Sequence, residues 1–118
     1  MKHLPILLLL ILFVSAAAFA FSPAPTTDKT AQFSLKDISG KTVSLNSYKG
    51  KAVLLAFFQT TCPSCRDEMP QLEAVYQKYR SKNFDVLAVS IRESANVVRI
   101  FARENKLSFT VLLDEKGD

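Results

Sequence analysis

Two apolar runs of strand length, residues 52–58 and 84–91, flank a stretch with helical spacing. The first run does not alternate with polar residues, which is typical of a strand covered on both faces at the centre of an α/β sheet. Apolar residues between the runs share one helix face through steps of three and four. They are Met69, Leu72, Val75, Tyr76 and Tyr79. Strands alternating with helices predict a parallel α/β core with right-handed crossovers.

The flanking segments extend this pattern. Residues 33–45 alternate around Ser39-Gly40 and predict a β-hairpin, and residues 46–51 predict a loop or one helical turn. After the second run, Ser94 is expected to cap a second helix, and residues 109–113 predict a short final strand. The apolar residues of that second helix are Val97, Val98, Ile100, Phe101 and Ala102. The predicted order is hairpin, strand, helix, strand, helix, strand.

The N-terminus has the pattern of an export segment, residues 1–20. A short basic start precedes an apolar run, and Ala18-Phe19-Ala20 fits the small-residue pattern that signal peptidase cleaves. Residues 4–21 would also span a bilayer at about 1.5 Å per residue. An uncleaved membrane anchor is therefore the alternative to a cleaved signal peptide.

The rest of the chain divides into a linker and one domain. Residues 21–32 contain two prolines and several threonines, a composition that predicts a tether. Residues 33–118 then form the predicted domain. The formal net charge is +4 without any basic cluster longer than two residues, so we expect no nucleic-acid partner.

A Cys-x-x-Cys motif, Cys62-Pro63-Ser64-Cys65, follows the first apolar run. If Cys62 caps the helix, Pro63 occupies its first turn, where the missing N–H costs nothing. Free backbone N–H groups and the helix dipole then stabilise the Cys62 thiolate, the attacking species in disulfide exchange. Cys65 lies one turn further on the same face, where it can resolve a mixed disulfide. The motif predicts a catalytic pair, Cys62 and Cys65.

Other interpretations of the cysteine pair fit less well. A disulfide between residues three apart cross-links too little chain to stabilise a fold. Structural zinc needs four ligands, and the only histidine, His3, lies in the export segment. Covalent haem requires a histidine after the second cysteine, where Arg66 stands. The sequence therefore predicts no metal and no cofactor.

Glu68 is the third candidate catalytic residue. It follows Cys65 by three positions, so a partly desolvated carboxylate there could exchange a proton with the Cys65 thiol. Spacing alone leaves an exposed glutamate in the first helical turns as an equal alternative.

Pro70 removes one helical hydrogen bond and predicts a kink. Arg92 and Glu93 follow a strand end and are expected to form a solvated loop pair.

Six segments occur in an order and spacing known from one protein family. They are Phe33-Ser-Leu-Lys-Asp37, Gly40-Lys-Thr-Val-Ser-Leu45, Tyr48-Lys-Gly-Lys51, the apolar strand to Phe58, Cys62-Pro-Ser-Cys-Arg-Asp-Glu-Met-Pro70 and Val86-Leu-Ala-Val-Ser90. The chain resembles the TlpA/ResA-type thiol–disulfide oxidoreductases of bacterial envelopes, within the broader redoxin and alkyl-hydroperoxide-reductase-like group. The resemblance covers 33–118 and is specific because matching segments flank the cysteine motif on both sides.

This resemblance implies a thioredoxin-like fold with Cys62 as the exposed nucleophile, Cys65 as the resolving thiol and Glu68 beside them. It also implies partners and a location. The partners would be protein thiols and disulfides, including apocytochrome c or a membrane electron donor. The location would be the periplasm or the outer face of the cytoplasmic membrane, with roles in redox homeostasis and cytochrome c maturation.

The chain departs from the family pattern at three points. Thr61 stands where the family often has tryptophan, and Ala56 where thioredoxin has a buried acid. The sequence stops at Asp118, whereas family members continue into a cis-proline segment, two strands and a helix. We therefore expect a fragment or a truncated reading frame. In such a chain the strand at 52–58 has an open apolar edge, and both activity and stability are impaired.

Two other functions remain open at this point. A peroxiredoxin-like thiol peroxidase, an antioxidant enzyme, shares the fold and the first cysteine, although Leu55 and Phe58 stand where its peroxide-binding residues are expected. A thioredoxin-like module that binds a partner without turnover is the non-enzymatic alternative, and in that case Cys62→Ser would leave function intact.

Overall fold

The computed structural model describes residues 32–118. The predicted export segment and all but the last residue of the predicted linker lie outside them. The described elements, in chain order, are β1 (Ser34–Asp37), β2 (Thr42–Ser44), a 3₁₀ helix (Leu45–Tyr48), β3 (Ala52–Phe58), α1 (Pro63–Tyr79), β4 (Phe84–Ile91), α2 (Ala95–Glu104) and β5 (Thr110–Asp114). This is the order that the sequence predicts.

The strands form one sheet with the order β2-β1-β5-β4-β3. β4 is parallel to both of its neighbours, pairing Leu55 with Leu87 on one side and Val89 with Leu112 on the other. The hairpin of β1 and β2 joins the free side of β5 in antiparallel orientation. The structure confirms a parallel α/β core extended by an N-terminal hairpin.

Two apolar clusters lie on opposite faces of this sheet, because successive residues of a strand point to opposite sides. The larger cluster contains both helices, and its buried residues are Phe58, Met69, Leu72, Val86, Ala88, Val98, Phe101, Ala102, Phe109, Val111 and Leu113. The smaller cluster contains Val43, Leu87, Val89 and Leu112, packed against residues of the hairpin and the 3₁₀ helix. Both helices are therefore held on the same side of β4.

β3 is an edge strand of the described sheet, in agreement with the open edge expected at 52–58. One of its faces is partly exposed, which corrects the prediction of a strand covered on both faces. It pairs only with β4, and Leu55 and Phe57 are 37% and 59% exposed. Leu54, Ala56 and Phe58 belong to the helix-covered cluster, and Val53 packs against the smaller cluster on the other face. The apolar run of β3 misled the prediction because apolar composition alone does not distinguish a half-covered strand from a central one.

The two helices bury fewer apolar side chains than their spacing suggests. In α2, Val98 is fully buried whereas Val97 and Ile100 are 48% and 47% exposed. In α1, Val75 and Tyr79 lie at the margin of the buried stripe, each 37% exposed. Among residues 32–118, neither helix has the length and apolar character that a bilayer crossing requires.

Candidate active site

Helix α1 begins directly after Cys62, as the sequence predicts. Cys62 is the N-cap residue with an extended backbone, and Pro63 occupies the first helical turn. The Cys62 sulfur accepts a hydrogen bond from the backbone N–H of Cys65 over 3.4 Å. Proline is well suited here because the first helical N–H has no intrahelical acceptor. The end of β3 and a three-residue loop thus place a sulfur at the positive end of a helix.

The two sulfurs of the motif are in direct contact. Both cysteines are free thiols of intermediate exposure, with their Sγ atoms 2.6 Å apart. The Ser64 hydroxyl lies 3.3 Å from the Cys62 sulfur. Within the described part of the chain, no group of three histidine, cysteine or acidic side chains is placed to hold a metal ion. The contact suits reversible bonding between the two sulfurs.

Hydrogen bonding separates the acidities of the two thiols. The Cys65 thiol donates to the Cys62 sulfur and lowers the pKa of Cys62, and the Ser64 hydroxyl and the Cys65 backbone N–H lower it further. The same contact raises the pKa of Cys65, to which burial and the charges of Cys62 and Glu68 also contribute. A thiol with a lowered pKa is ionised more readily. Of the two thiols, Cys62 is therefore the one that ionises more readily.

Glu68 lies beside the pair but in contact with water. Its side chain is exposed rather than partly desolvated, because its position, about 60° around the helix from Cys65, is at the flank of the buried stripe. Its negative charge still raises the pKa of Cys65. Pro70 lies inside the continuous helix α1, where it leaves the carbonyl of Arg66 without its usual donor.

Glu93 also belongs to this region, although the sequence suggests a solvated loop residue. Its carboxylate accepts hydrogen bonds from the Thr60 backbone, the Thr60 hydroxyl and the Ser90 hydroxyl. Burial raises the pKa of Glu93, but the bonds from Ser90 and Thr60 outweigh it and the pKa is lowered. The prediction was wrong because the partner lies 33 residues away in the chain. Ser90, a polar residue near the end of a largely apolar strand, was the available signal.

A parallel β3-β4-β5 core extended by an antiparallel hairpin, with a Cys-x-x-Cys motif at a helix N-terminus, is the arrangement of a thioredoxin-like protein. A secreted disulfide oxidoreductase from Mycobacterium tuberculosis has a similar structure, with a TM-score of 0.68 and 28% identity over 73% of this chain and 63% of that one. Residues 26–118 match the model of the AhpC/TSA family, and the chain belongs to that family. The match confirms the resemblance to the redoxin group.

Relatives of known name support the same placement. The thiol-disulfide oxidoreductase ResA of Bacillus thuringiensis subsp. konkukian is 35% identical over 86 residues, which are 73% of this chain and 50% of ResA. The thioredoxin-like protein YneN of Bacillus subtilis is 46% identical over 88 residues, which are 72% of this chain and 51% of YneN. The chain spans about half the length of the curated relatives it matches.

Proposed function

We propose that this chain is a thiol–disulfide oxidoreductase with Cys62 as the nucleophile and Cys65 as the resolving thiol. One observation carries the proposal: the Cys62 sulfur caps α1 and receives hydrogen bonds that lower its pKa, while the pKa of Cys65 is raised. A lowered pKa supplies the thiolate that attacks, and the raised pKa keeps the second thiol protonated until it is needed. The names of the relatives agree with this chemistry.

The proposed reaction proceeds in two exchanges. The Cys62 thiolate attacks a partner disulfide, forming a mixed disulfide and releasing one partner thiolate, which takes up a proton. Cys65 then loses its proton and attacks the Cys62 sulfur, so that the Cys62–Cys65 disulfide forms and the second partner thiolate leaves. Two electrons pass from the chain to the partner. The reverse sequence oxidises a dithiol partner.

Three further residues have supporting roles in this proposal. Pro63 occupies the first position of α1, where its missing N–H leaves no donor unpaired. Its fixed backbone keeps Cys62 at the N-cap position. The carboxylate of Glu68 accepts the Cys65 proton, directly or through water, in the second exchange. Pro70 frees the carbonyl of Arg66, the residue directly after the motif, and shapes the helix there.

The proposed setting is the bacterial cell envelope. Residues 1–20 have an export pattern, cleaved or retained as an anchor through residues 4–21, residues 21–32 form the linker, and residues 33–118 form the thioredoxin-like domain. Export agrees with the secreted disulfide oxidoreductase of similar structure. The proposed partners are protein thiols and disulfides, including apocytochrome c or a membrane electron donor.

Trapping of the mixed disulfide tests the proposed roles. The Cys65→Ser variant, mixed with a peptide that contains one disulfide, is expected to accumulate a covalent adduct at Cys62, because no thiol remains to resolve it. Cys62→Ser in the same mixture should form far less adduct, at least about tenfold less, since it removes the sulfur that caps α1 and accepts the Cys65 N–H. Mass spectrometry of the intact chain measures both.

Circular dichroism of each variant confirms that the comparison is between folded chains. Equal adduct formation by the two variants, or none by either, would contradict the assigned roles. Rapid, saturable oxidation of Cys62 by hydrogen peroxide without exchange would instead identify a thiol peroxidase.

A further inference from the structure

The Glu93 carboxylate holds the loop that enters the cysteine motif. The Thr60 backbone N–H donates to Oε1 and Oε2 over 3.0 and 2.9 Å, and the Thr60 hydroxyl donates to Oε1. The Ser90 hydroxyl donates to Oε2 over 2.7 Å. Thr60 and Ser90 are the two buried polar residues of residues 32–118, at 8% and 0% exposure. Charge-assisted bonds of this kind are among the stronger hydrogen bonds in proteins.

The backbone before Glu93 is arranged to make these contacts. Arg92 has a φ of +58°, a left-handed conformation that costs energy for a residue with a side chain. The Arg92 N–H donates to the carbonyl of Asp114 over 2.8 Å, which ties this turn to the end of β5. The left-handed residue ends β4 and lets Glu93 return toward Thr60. Strain of this kind persists where the surrounding structure holds it in place.

The 59–62 loop is also hydrogen-bonded to the end of β4 and leads directly into the cysteine motif. The Gln59 side-chain amide donates to the carbonyl of Ile91 over 3.1 Å. The Cys62 N–H then donates to the carbonyl of Gln59 over 3.1 Å, closing a tight turn before the helix. A displacement of Thr60 is therefore transmitted to Cys62 over a short, hydrogen-bonded stretch of backbone.

We infer that Glu93 is a positioning residue, whose carboxylate holds the 59–62 loop so that the Cys62 sulfur stays at the N-terminus of α1. The inference rests on the proposed function, in which that sulfur is the nucleophile. Without the anchor the loop gains freedom, the sulfur spends less time beside the Cys65 N–H, and the thiolate loses stabilisation. Glu93 contacts no sulfur and acts through Thr60.

Two substitutions distinguish the length of the Glu93 side chain from its negative charge. Glu93→Gln keeps the length of the side chain: its Oε1 can accept both Thr60 bonds, and its amide can donate to the Ser90 hydroxyl. Glu93→Asp keeps the charge but is shorter by one methylene, so the carboxylate falls short of Thr60. If Glu93 acts by holding the 59–62 loop, Cys62 in the glutamine variant should react as in the wild type, and Cys62 in the aspartate variant should not.

Glu73 provides a matched control. It accepts hydrogen bonds from the backbone N–H and hydroxyl of Ser108, much as Glu93 does from Thr60. It lies in α1, roughly 16 Å along the helix from Cys62 at about 1.5 Å per residue. Glu73→Ala thus removes a comparable anchor and lowers stability without touching the 59–62 loop.

The experiment measures the alkylation rate of Cys62 by iodoacetamide against pH in the reduced full chain, with the site identified by mass spectrometry. Glu93→Ala and Glu93→Asp are expected to raise the apparent pKa of Cys62 and to lower its rate at pH 7 about fivefold, a difference of under one pKa unit. Glu93→Gln and Glu73→Ala should stay within about twofold of the wild type, a change of roughly 0.3 pKa units.

The opposite pattern would overturn the inference. If Cys62 reacts as in the wild type in Glu93→Asp but more slowly in Glu93→Gln, the charge of Glu93 matters and the length of its side chain does not. An equal loss of Cys62 reactivity in Glu73→Ala would show that the effect comes from lower stability of the fold and not from the 59–62 loop. A lowered Cys62 pKa that is unaffected by any Glu93 variant would refute the positioning role and leave the proposed function intact. An ordinary Cys62 pKa in the wild type would refute both.

Discussion

At Cys62 the local backbone sets the chemistry, because the residue is both a helix cap and a thiol. Its sulfur receives the Cys65 thiol, the Ser64 hydroxyl and the Cys65 N–H as donors, and its pKa falls. The bond that the Cys65 thiol donates to the Cys62 sulfur also makes the protonated form of Cys65 more favourable, and the pKa of Cys65 rises. Two chemically identical side chains thereby acquire different acidities.

The charge of Glu68 gives a prediction at this scale. Glu68→Gln removes a negative charge that raises the pKa of Cys65, so that pKa is expected to fall while the pKa of Cys62 changes little. Because Glu68 is exposed, the shift should shrink as ionic strength rises. The pH dependence of mixed-disulfide resolution at low and high salt measures it. Asp67→Asn, a neighbouring exposed acid, is the control, and an equal effect of both variants would contradict a specific role.

At the scale of the elements, helical and strand periodicity predicts most of what the structure contains. The bounds of β3 and the start of α1 at Pro63 agree with prediction, since a strand-length apolar run and a capping position are local signals. The exposure of Leu55 and Phe57 on one face of β3 and the bond between Glu93 and Thr60 are not local. They depend on which strands pair and on residues far apart in the chain, which no short pattern reports.

Helix α2 allows a matched test of the observed packing. Val98 is fully buried and its neighbour Val97 is 48% exposed, although both fit an apolar helical pattern. Val98→Ala is expected to lower the free energy of unfolding by about 2–3 kcal/mol through lost burial and the cavity left behind. Val97→Ala should change it by less than about 0.5 kcal/mol. Urea unfolding followed by circular dichroism measures both, and equal losses would show that α2 is rotated from the described orientation.

At the scale of the whole molecule, the parallel sheet brings the site together. β3 and β4 run in the same direction, so their carboxyl ends meet at one edge, where active sites of α/β folds commonly lie. The loop after β3 carries Thr60 and Cys62, and the turn after β4 carries Glu93. Residue spacing in the sequence predicts the Cys-x-x-Cys part of this site. The contact between Thr60 and Glu93 forms only when β3 and β4 are paired.

The fold, and not the thiol itself, is expected to make Cys62 acidic. Because the folded pKa is lowered, ionised Cys62 stabilises the reduced protein at pH values above the unfolded pKa, and this contribution is lost as the pH falls through the folded pKa. Titration of Cys62 by thiolate absorbance and alkylation, in buffer and in concentrated urea, tests the claim directly. We predict a pKa below the ordinary thiol value of about 8.5 in buffer and a return to that value in urea. The same pKa in both solvents would contradict the account.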